Sequence, residues 1–126
     1  IISVNIFIFM LVSCVAKEKR NKHLQVTFEK TLHNFQNVLN NTNTKEIIKY
    51  SNKEKSKLII EKVTTSCSCT VVSLDSFVLN PNEEANMTIT YNSNELGPFI
   101  NIINVFYKGI DTPQKLMVQG NVVLAK

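Results

Sequence analysis

The chain has 126 residues, of which 44% are hydrophobic and 19% are charged, and this is enough for one compact domain. This composition excludes a disordered tail and a multi-span membrane protein, and three Gly and three Pro exclude a collagen-like repeat. There is no Trp and there are only two His, so few residues are available for a catalytic site. We therefore predict a protein that is not an enzyme and needs no cofactor.

The net charge is +4, and the densest basic stretch is KEKRNK at residues 17–22. A basic protein can bind nucleic acid, but such surfaces usually combine cations with aromatic side chains. No aromatic residue interrupts this stretch, so nucleic acid is not predicted as a partner.

Residues 1–13 (IISVNIFIFMLVS) form an uncharged apolar run. A membrane-spanning helix needs about 20 residues, so this run is more typical of the apolar core of a secretory signal peptide. The chain begins with Ile1 rather than Met, and we expect further residues to precede it in the natural precursor.

The apolar run ends with LVSC at residues 11–14, which resembles the lipobox of bacterial lipoproteins. That resemblance implies a diacylglycerol on the thiol of Cys14, cleavage just before this residue, and a tether over residues 14–22. The alternative is a buried Cys in a short N-terminal helix, but the charged residues that follow favour a tether.

Lipidation at Cys14 implies a protein anchored in the cell envelope, with the membrane as one partner and an envelope protein as another. Similar lipoproteins that reach the cell surface carry an acidic cluster after the lipidated Cys, and none follows here. We therefore expect the periplasmic face of the outer membrane. The sequence leaves the oligomeric state open.

Residues 23–126 are dominated by alternating apolar and polar positions, which is typical of half-buried strands. We predict an all-β fold, an immunoglobulin-like β-sandwich of about seven strands. Residues 31–40 have apolar residues at helical spacing, but the polar run at residues 40–43 favours an extended, loop-rich segment. The predicted strands cover residues 24–28, 47–50, 58–64, 70–74, 76–79, 87–91, 99–107 and 116–124.

Turn residues separate these strands. Residues 80–83 (NPNE) predict a turn in which Asn82 can take a positive φ. Residues 52–55 (NKEK) are polar between two apolar runs and predict the tip of a hairpin. The longest predicted strand, 99–107, is our candidate for pairing with an extended partner at a sheet edge.

Six features follow one another along the chain: HNFQ at 33–36, IIKYSN at 47–52, SCSCT at 66–70, PNE at 81–83, Gly97 with Phe99, and Gly120. In this order they resemble the bacterial lipoprotein family called domain of unknown function 1573, which is common in Bacteroidota. That resemblance implies an immunoglobulin-like or PapD-like sandwich and no particular reaction. Glycine stands in the family where this chain has Ser68, Asn82 and Gln36, and Asp stands there in place of Asn34.

Cys67 and Cys69 form the most specific chemical feature of the sequence, and three interpretations are open. On an extended strand their side chains share one face, so they could simply pack in the core. They could form a disulfide in an oxidising compartment, although Cα atoms two residues apart on a strand lie near the 7 Å limit. They could bind Cu(I) or Zn²⁺, with His33 or His23 as a further ligand.

The leading hypothesis is therefore a lipid-anchored envelope protein that acts as a binding or assembly module. The alternative is a thiol redox or Cu/Zn-binding protein that uses Cys67 and Cys69.

Overall fold

The computed structural model describes residues 24–125. The predicted signal peptide (1–13), the tether (14–22) with Cys14, and His23 lie outside the described residues. Within residues 24–125 there is no helix with the length and hydrophobicity of a membrane span. The nine strands of this part are β1 (Thr27–Phe28), β2 (Leu32–Leu39), β3 (Asn43–Ser51), β4 (Leu58–Thr65), β5 (Thr70–Leu74), β6 (Val78–Leu79), β7 (Glu84–Asn92), β8 (Gly97–Tyr107) and β9 (Gln114–Val123).

The strands form two sheets that face each other across a common apolar core. Sheet I has the order β1-β3-β7-β5, and sheet II has the order β2-β9-β8-β4-β6. Strands β2 and β9 are parallel, whereas all the other pairs are antiparallel. The predicted all-β fold is confirmed, but the strand count is nine instead of seven. The prediction missed β2, whose residues do not alternate regularly.

The alternation seen in the sequence places every second side chain in the core, because successive side chains of a strand point to opposite faces. On β7 the buried residues are Met87, Ile89 and Tyr91. On β9 they are Leu116 and Val118, followed by Val122. Burial of such side chains contributes about 1.5–3 kcal/mol each and is the main stabilising contribution to the sandwich.

Residues 31–40 show why a strand can have helical spacing. The register of β2 against β9 shifts between Asn34 and Asn37, and Gln36 has a φ of 59° there. This bulge adds one residue to the strand, so Phe35 and Val38 both face inward although they are three residues apart. Residues 32–39 are therefore extended as expected, but they form a strand and not a loop-rich segment.

Two predictions, one about a connection and one about the position of a strand in its sheet, are wrong. Residues 52–55 are not the tip of a hairpin, because β3 belongs to sheet I and β4 to sheet II. Asn52 is fully buried, and its side-chain amide donates hydrogen bonds to the carbonyls of Ser56 (2.8 Å) and Leu79 (2.9 Å). Residues 99–107 are also not at a sheet edge, since β8 is paired with β9 on one side and with β4 on the other.

The turn at residues 80–83 forms as predicted, and Asn82 has a φ of 69°. In contrast, Ser68 has no positive φ, so the family's glycine is not needed there for backbone geometry. Gly120 is required for space: a Cβ atom at this position would lie 2.7 Å from the ring of Phe99. That ring stacks on Tyr91 with centroids 3.8 Å apart, which joins the two sheets at this end of the core.

Candidate functional site

The pair Cys67 and Cys69 lies in the connection that crosses from β4 of sheet II to β5 of sheet I. The structure joins the two residues by a disulfide, with Cα atoms 5.2 Å apart. Residues 67–69 lie between the predicted strands 58–64 and 70–74 and form a turn, so the geometry of an extended strand does not apply to this pair. The turn supplies the bend that a bridge between such close neighbours requires.

Hydrogen bonds that do not involve sulfur hold most of the backbone of this turn. The residues around it are partly exposed, but the carbonyl groups of both cysteines are engaged by donors within the fold. Four hydrogen bonds hold it: Thr65 Oγ1 to the Cys67 carbonyl (2.8 Å), the Thr70 N–H to the same carbonyl (3.2 Å), the Asn92 N–H to the Cys69 carbonyl (2.8 Å), and the Ser66 N–H to the Ile102 carbonyl (2.9 Å).

The two sulfur atoms have different neighbours. Cys67 Sγ accepts a hydrogen bond from the backbone N–H of Cys69 at 3.1 Å. Cys69 Sγ lies 3.5 Å from Nδ2 of Asn101, which donates to it, and 4.0 Å from Oγ1 of Thr70. Asn101 and Thr70 are buried and are joined to each other by a 2.8 Å hydrogen bond. The Cys69 sulfur therefore faces the inside of the sandwich.

A cleft of about 230 Å³ lies beside the disulfide. It is bounded by residues 67–69 on one side and by Tyr91, Asn94 and Glu95 on the other. Burial raises the pKa of Tyr91, and the nearby negative charge of Glu95 acts in the same direction. The tyrosine is therefore a neutral hydrogen-bonding group at neutral pH, and Glu95 is an acidic residue lining this cleft.

His33 lies elsewhere, on β2, and the structure does not bring it together with the cysteines. Its Nε2 atom is 3.7 Å from Oε2 of Glu46, whose other oxygen accepts a 2.9 Å hydrogen bond from Lys30. Burial lowers the pKa of His33, while Glu46 opposes this shift. Among residues 24–125 there is no group of three or more His, Cys, Asp or Glu side chains arranged to hold a metal ion.

A second surface was missed by the sequence reasoning. Four cross-strand rows on the outer face of sheet II contain no charged residue, and we call this surface the uncharged face. Apolar side chains lie at both ends of it and amides in the middle. Its residues are Leu32, Asn34, Asn37 and Leu39 of β2, Met117, Gln119, Asn121 and Val123 of β9, and Pro98, Ile100 and Ile102 of β8.

Several apolar side chains of the uncharged face are open to solvent: Ile100 is 63% exposed, Leu32 is 51% exposed and Met117 is 38% exposed. Amide groups of the middle rows line a shallow depression of about 360 Å³. The signal was present in the sequence, because the outward positions of residues 98–102 and 117–123 lack charge. Only the register shows that they meet on one face.

The outer face of sheet I has a different character. Lys49 and Glu84 form an ion pair of 3.7 Å across β3 and β7, and Lys45 lies on the same face opposite Thr90. Ile47 is 59% exposed there, but it lies between the two lysines on its strand. This face is typical of a solvated surface.

Solved structures resemble this fold at low sequence identity. A protein of unknown function from Porphyromonas gingivalis W83 has 13% identity and a TM-score of 0.66; the match covers 76% of this chain, which spans 46% of that protein. The PapD-like domain 7 of human CEP192 has 9% identity and a TM-score of 0.66, with 82% of this chain and 88% of that domain covered.

The secreted serine protease VesC from Vibrio cholerae has 7% identity and a TM-score of 0.60, but the 79% of this chain that matches corresponds to 23% of the protease. These similarities show the fold alone and give no evidence of catalysis. A search of curated protein sequences found no match. Residues 26–122 match one family model over most of the sandwich. The chain therefore belongs to the family described as Protein of unknown function (DUF1573).

Proposed function

We propose that this chain is a non-enzymatic binding module of the cell envelope, which engages an envelope protein through the uncharged face. The observation that carries the proposal is the lack of charge across four rows of sheet II, in a chain with 14 Lys and Arg and 10 Asp and Glu. Charged residues are depleted at the centre of protein interfaces, whereas solvated faces keep them. Exposed apolar side chains grouped on an uncharged surface are typical of interaction sites.

The chemistry of the face defines the partner. Ile100, Leu32 and Met117 favour an apolar protein surface, and the amides of Asn34 and Gln119 can each donate and accept a hydrogen bond. The face spans about 10 Å across three strands and about 20 Å along them, which suits the centre of an interface of ordinary size. A partner with little charge matches it, since a charge buried there would find no counter-ion.

Matched substitutions test the face. Ile100→Glu places a charge on the uncharged face, and Ile47→Glu places the same charge at an equally exposed position of sheet I. A photoreactive residue at Gln119 should crosslink one envelope protein in the unsubstituted full chain, and Ile100→Glu should reduce the yield at least tenfold. Equal effects of both substitutions, or a crosslink only between copies of this chain, would overturn the proposal.

The envelope location is proposed from the sequence alone, through lipidation of Cys14. Acyl chains contribute about 0.8 kcal/mol for each buried CH₂ group, so a lipidated chain stays with the membrane fraction. The full chain should incorporate a fatty-acid label and sediment with membranes, whereas Cys14→Ser should do neither. A labelled and membrane-bound Cys14→Ser variant would contradict the anchor, and Cys67→Ser serves as the control for a cysteine outside the lipobox.

Reversible thiol chemistry at Cys67 and Cys69 is the second candidate function. The two cysteines have a sequence separation of two, so the disulfide closes a very short loop and removes little conformational entropy from the unfolded chain. The loop-entropy relation gives about 1.6 kcal/mol for three residues, against about 3 kcal/mol for a loop of 15. Because four hydrogen bonds also hold the turn, the disulfide contributes little to the stability of the fold.

Titration of the oxidised protein with a dithiol buffer tests this candidate. We expect reduction of the pair while the circular dichroism of the folded sandwich stays unchanged. Reduction only under conditions that unfold the protein would exclude it. Dialysis of the reduced protein against Cu(I) or Zn²⁺ tests the metal-binding form, in which the two thiolates act as ligands.

A further inference from the structure

The surroundings of the two sulfur atoms are unequal in a way that matters for thiol–disulfide exchange. In this reaction an attacking thiolate forms a new bond to one sulfur, and the other sulfur leaves with the electron pair of the broken bond. The leaving sulfur becomes a thiolate, so donors directed at it favour the step. The attacked sulfur must instead be open to the incoming group.

Cys69 has the environment of the leaving group. Its sulfur receives the Nδ2–H of Asn101 at 3.5 Å and lies 4.0 Å from the hydroxyl of Thr70. Asn101 is only 6% exposed, and its amide is held in place by the 2.8 Å bond to Thr70. Donors that are already oriented stabilise a developing negative charge without further reorganisation.

Cys67 has the environment of the attacked sulfur. Its sulfur has one hydrogen-bond contact, with the backbone N–H of its own turn, whereas the Cys69 sulfur faces the buried pair Asn101 and Thr70. Cys67, Ser68 and Cys69 all line the cleft of about 230 Å³, so the two sulfur atoms are distinguished by their hydrogen-bond neighbours and not by the cleft itself. A cleft of this volume is smaller than a typical small-molecule pocket and takes a single side chain with its flanking backbone.

We propose that the disulfide oxidises a dithiol on an extended segment of another protein, with Cys67 as the attacked sulfur and Cys69 as the leaving thiolate. This inference rests on the second candidate function. The partner's thiolate bonds to Cys67 Sγ, the Cys67–Cys69 bond breaks, and its electron pair stays on Cys69 Sγ, which accepts hydrogen bonds from Asn101 and Thr70.

The second step completes the transfer. The partner's other thiol loses its proton and attacks the partner sulfur in the mixed disulfide, and Cys67 leaves as a thiolate. The partner then holds a disulfide, and its two thiol protons are taken up by Cys67 and Cys69. Two electrons have moved from the partner to this chain. Asn101 acts as a positioning residue that holds the charge on Cys69.

The test uses the oxidised full chain and a biotinylated peptide that carries two cysteines. After a short incubation, acid quenching and alkylation, peptide mapping shows which cysteine of this chain carries the mixed disulfide. We expect at least tenfold more adduct on Cys67 than on Cys69. Preferential adduct on Cys69 overturns this inference but leaves the redox candidate standing. No exchange with the folded protein overturns the redox candidate itself.

The role of Asn101 is tested separately by the pH dependence of alkylation of Cys69 in the Cys67→Ser background. Asn101→Leu should raise the pKa of the Cys69 thiol by about one unit, because a hydrogen bond to the charged form is lost. Asn104→Leu, on the same strand, should leave it unchanged. An unchanged pKa in Asn101→Leu contradicts the assigned role. If that variant does not fold, the same measurement on Thr70→Val decides the point.

Discussion

Among the connections that cross from one sheet to the other, two are held in different ways. The first, residues 52–57, is held by a side chain: Asn52 is fully buried and bonds to Ser56, Leu79 and the N–H of Glu54. The second, residues 66–69, is held by backbone hydrogen bonds, by the hydroxyl of Thr65 and by a disulfide that is partly open to solvent.

The difference separates structural from chemical roles. The buried side-chain amide of Asn52 makes hydrogen bonds with several backbone groups. When it is removed, no other group replaces these bonds, so the free energy of unfolding falls substantially. A disulfide across three residues adds little to a turn that is already fixed. Asn52 is therefore the residue that stabilises its connection, whereas Cys67 and Cys69 contribute little to stability and are available for reaction.

The largest effect is expected at the first connection. Asn52→Ala leaves the buried carbonyl of Leu79 and the carbonyl of Ser56 without this donor and the N–H of Glu54 without this acceptor, so we expect a loss of about 3 kcal/mol in the free energy of unfolding. Urea denaturation measures it. The control Asn94→Ala, at an exposed loop position, should change stability by less than about 0.5 kcal/mol. A small effect at Asn52 would remove the contrast between the connections.

Alkaline pH should weaken the end of the sandwich near Asn52. Burial raises the pKa of Tyr107 to about 12, and its hydroxyl accepts the N–H of Val26 at 3.0 Å and donates to Gln114. Since the unfolded phenol ionises near pH 10, stability is intact below that pH and falls as the pH rises towards about 12.

Thermal unfolding between pH 9 and 12 measures this loss. Tyr107→Phe should cost about 1–3 kcal/mol at pH 8, because the buried N–H of Val26 loses its acceptor, but it should show a shallower alkaline slope. Some slope should remain, since the pKa values of Tyr50 and Tyr91 are also raised by burial. An unchanged slope would show that Tyr107 does not govern alkaline unfolding.

A smaller effect is expected at the second connection. The double variant Cys67→Ser, Cys69→Ser should lose no more than about 1.6 kcal/mol, which is the loop-entropy value for three residues. Calorimetry of the variant and of the reduced unsubstituted protein should agree. If the double variant lost more stability than Asn52→Ala, the disulfide would be the more important stabilising contact, and the comparison would be reversed.

The smallest effect should be a gain, near the disulfide end of the core. Gln36 has a φ of 59°, where a residue with a Cβ is strained, and the resembling family has glycine there. Gln36→Gly should raise stability by about 1 kcal/mol. Gln119→Gly, at a regular position of β9, should instead lower it by a similar amount. Destabilisation by both changes would show that Gln36 is not strained.

The sequence located most strands because the alternation of apolar and polar residues is a local signal. It placed β5 at residues 70–74 as observed, and β4 and β8 to within one or two residues. It could not decide which strands pair. The partners of β8 and the sheet change after Ser51 depend on contacts between residues distant in the chain.

For the candidate site, the sequence by itself determined that Cys67 and Cys69 stand two residues apart in a chain of family-like motifs, and that the outward positions of two late strands lack charge. Only the tertiary structure decided that a turn joins the cysteines, that Asn101 reaches one sulfur from a strand 32 residues away, and that the uncharged positions form one face. Local patterns fix which face of a strand is buried, whereas register and sheet order fix which side chains meet.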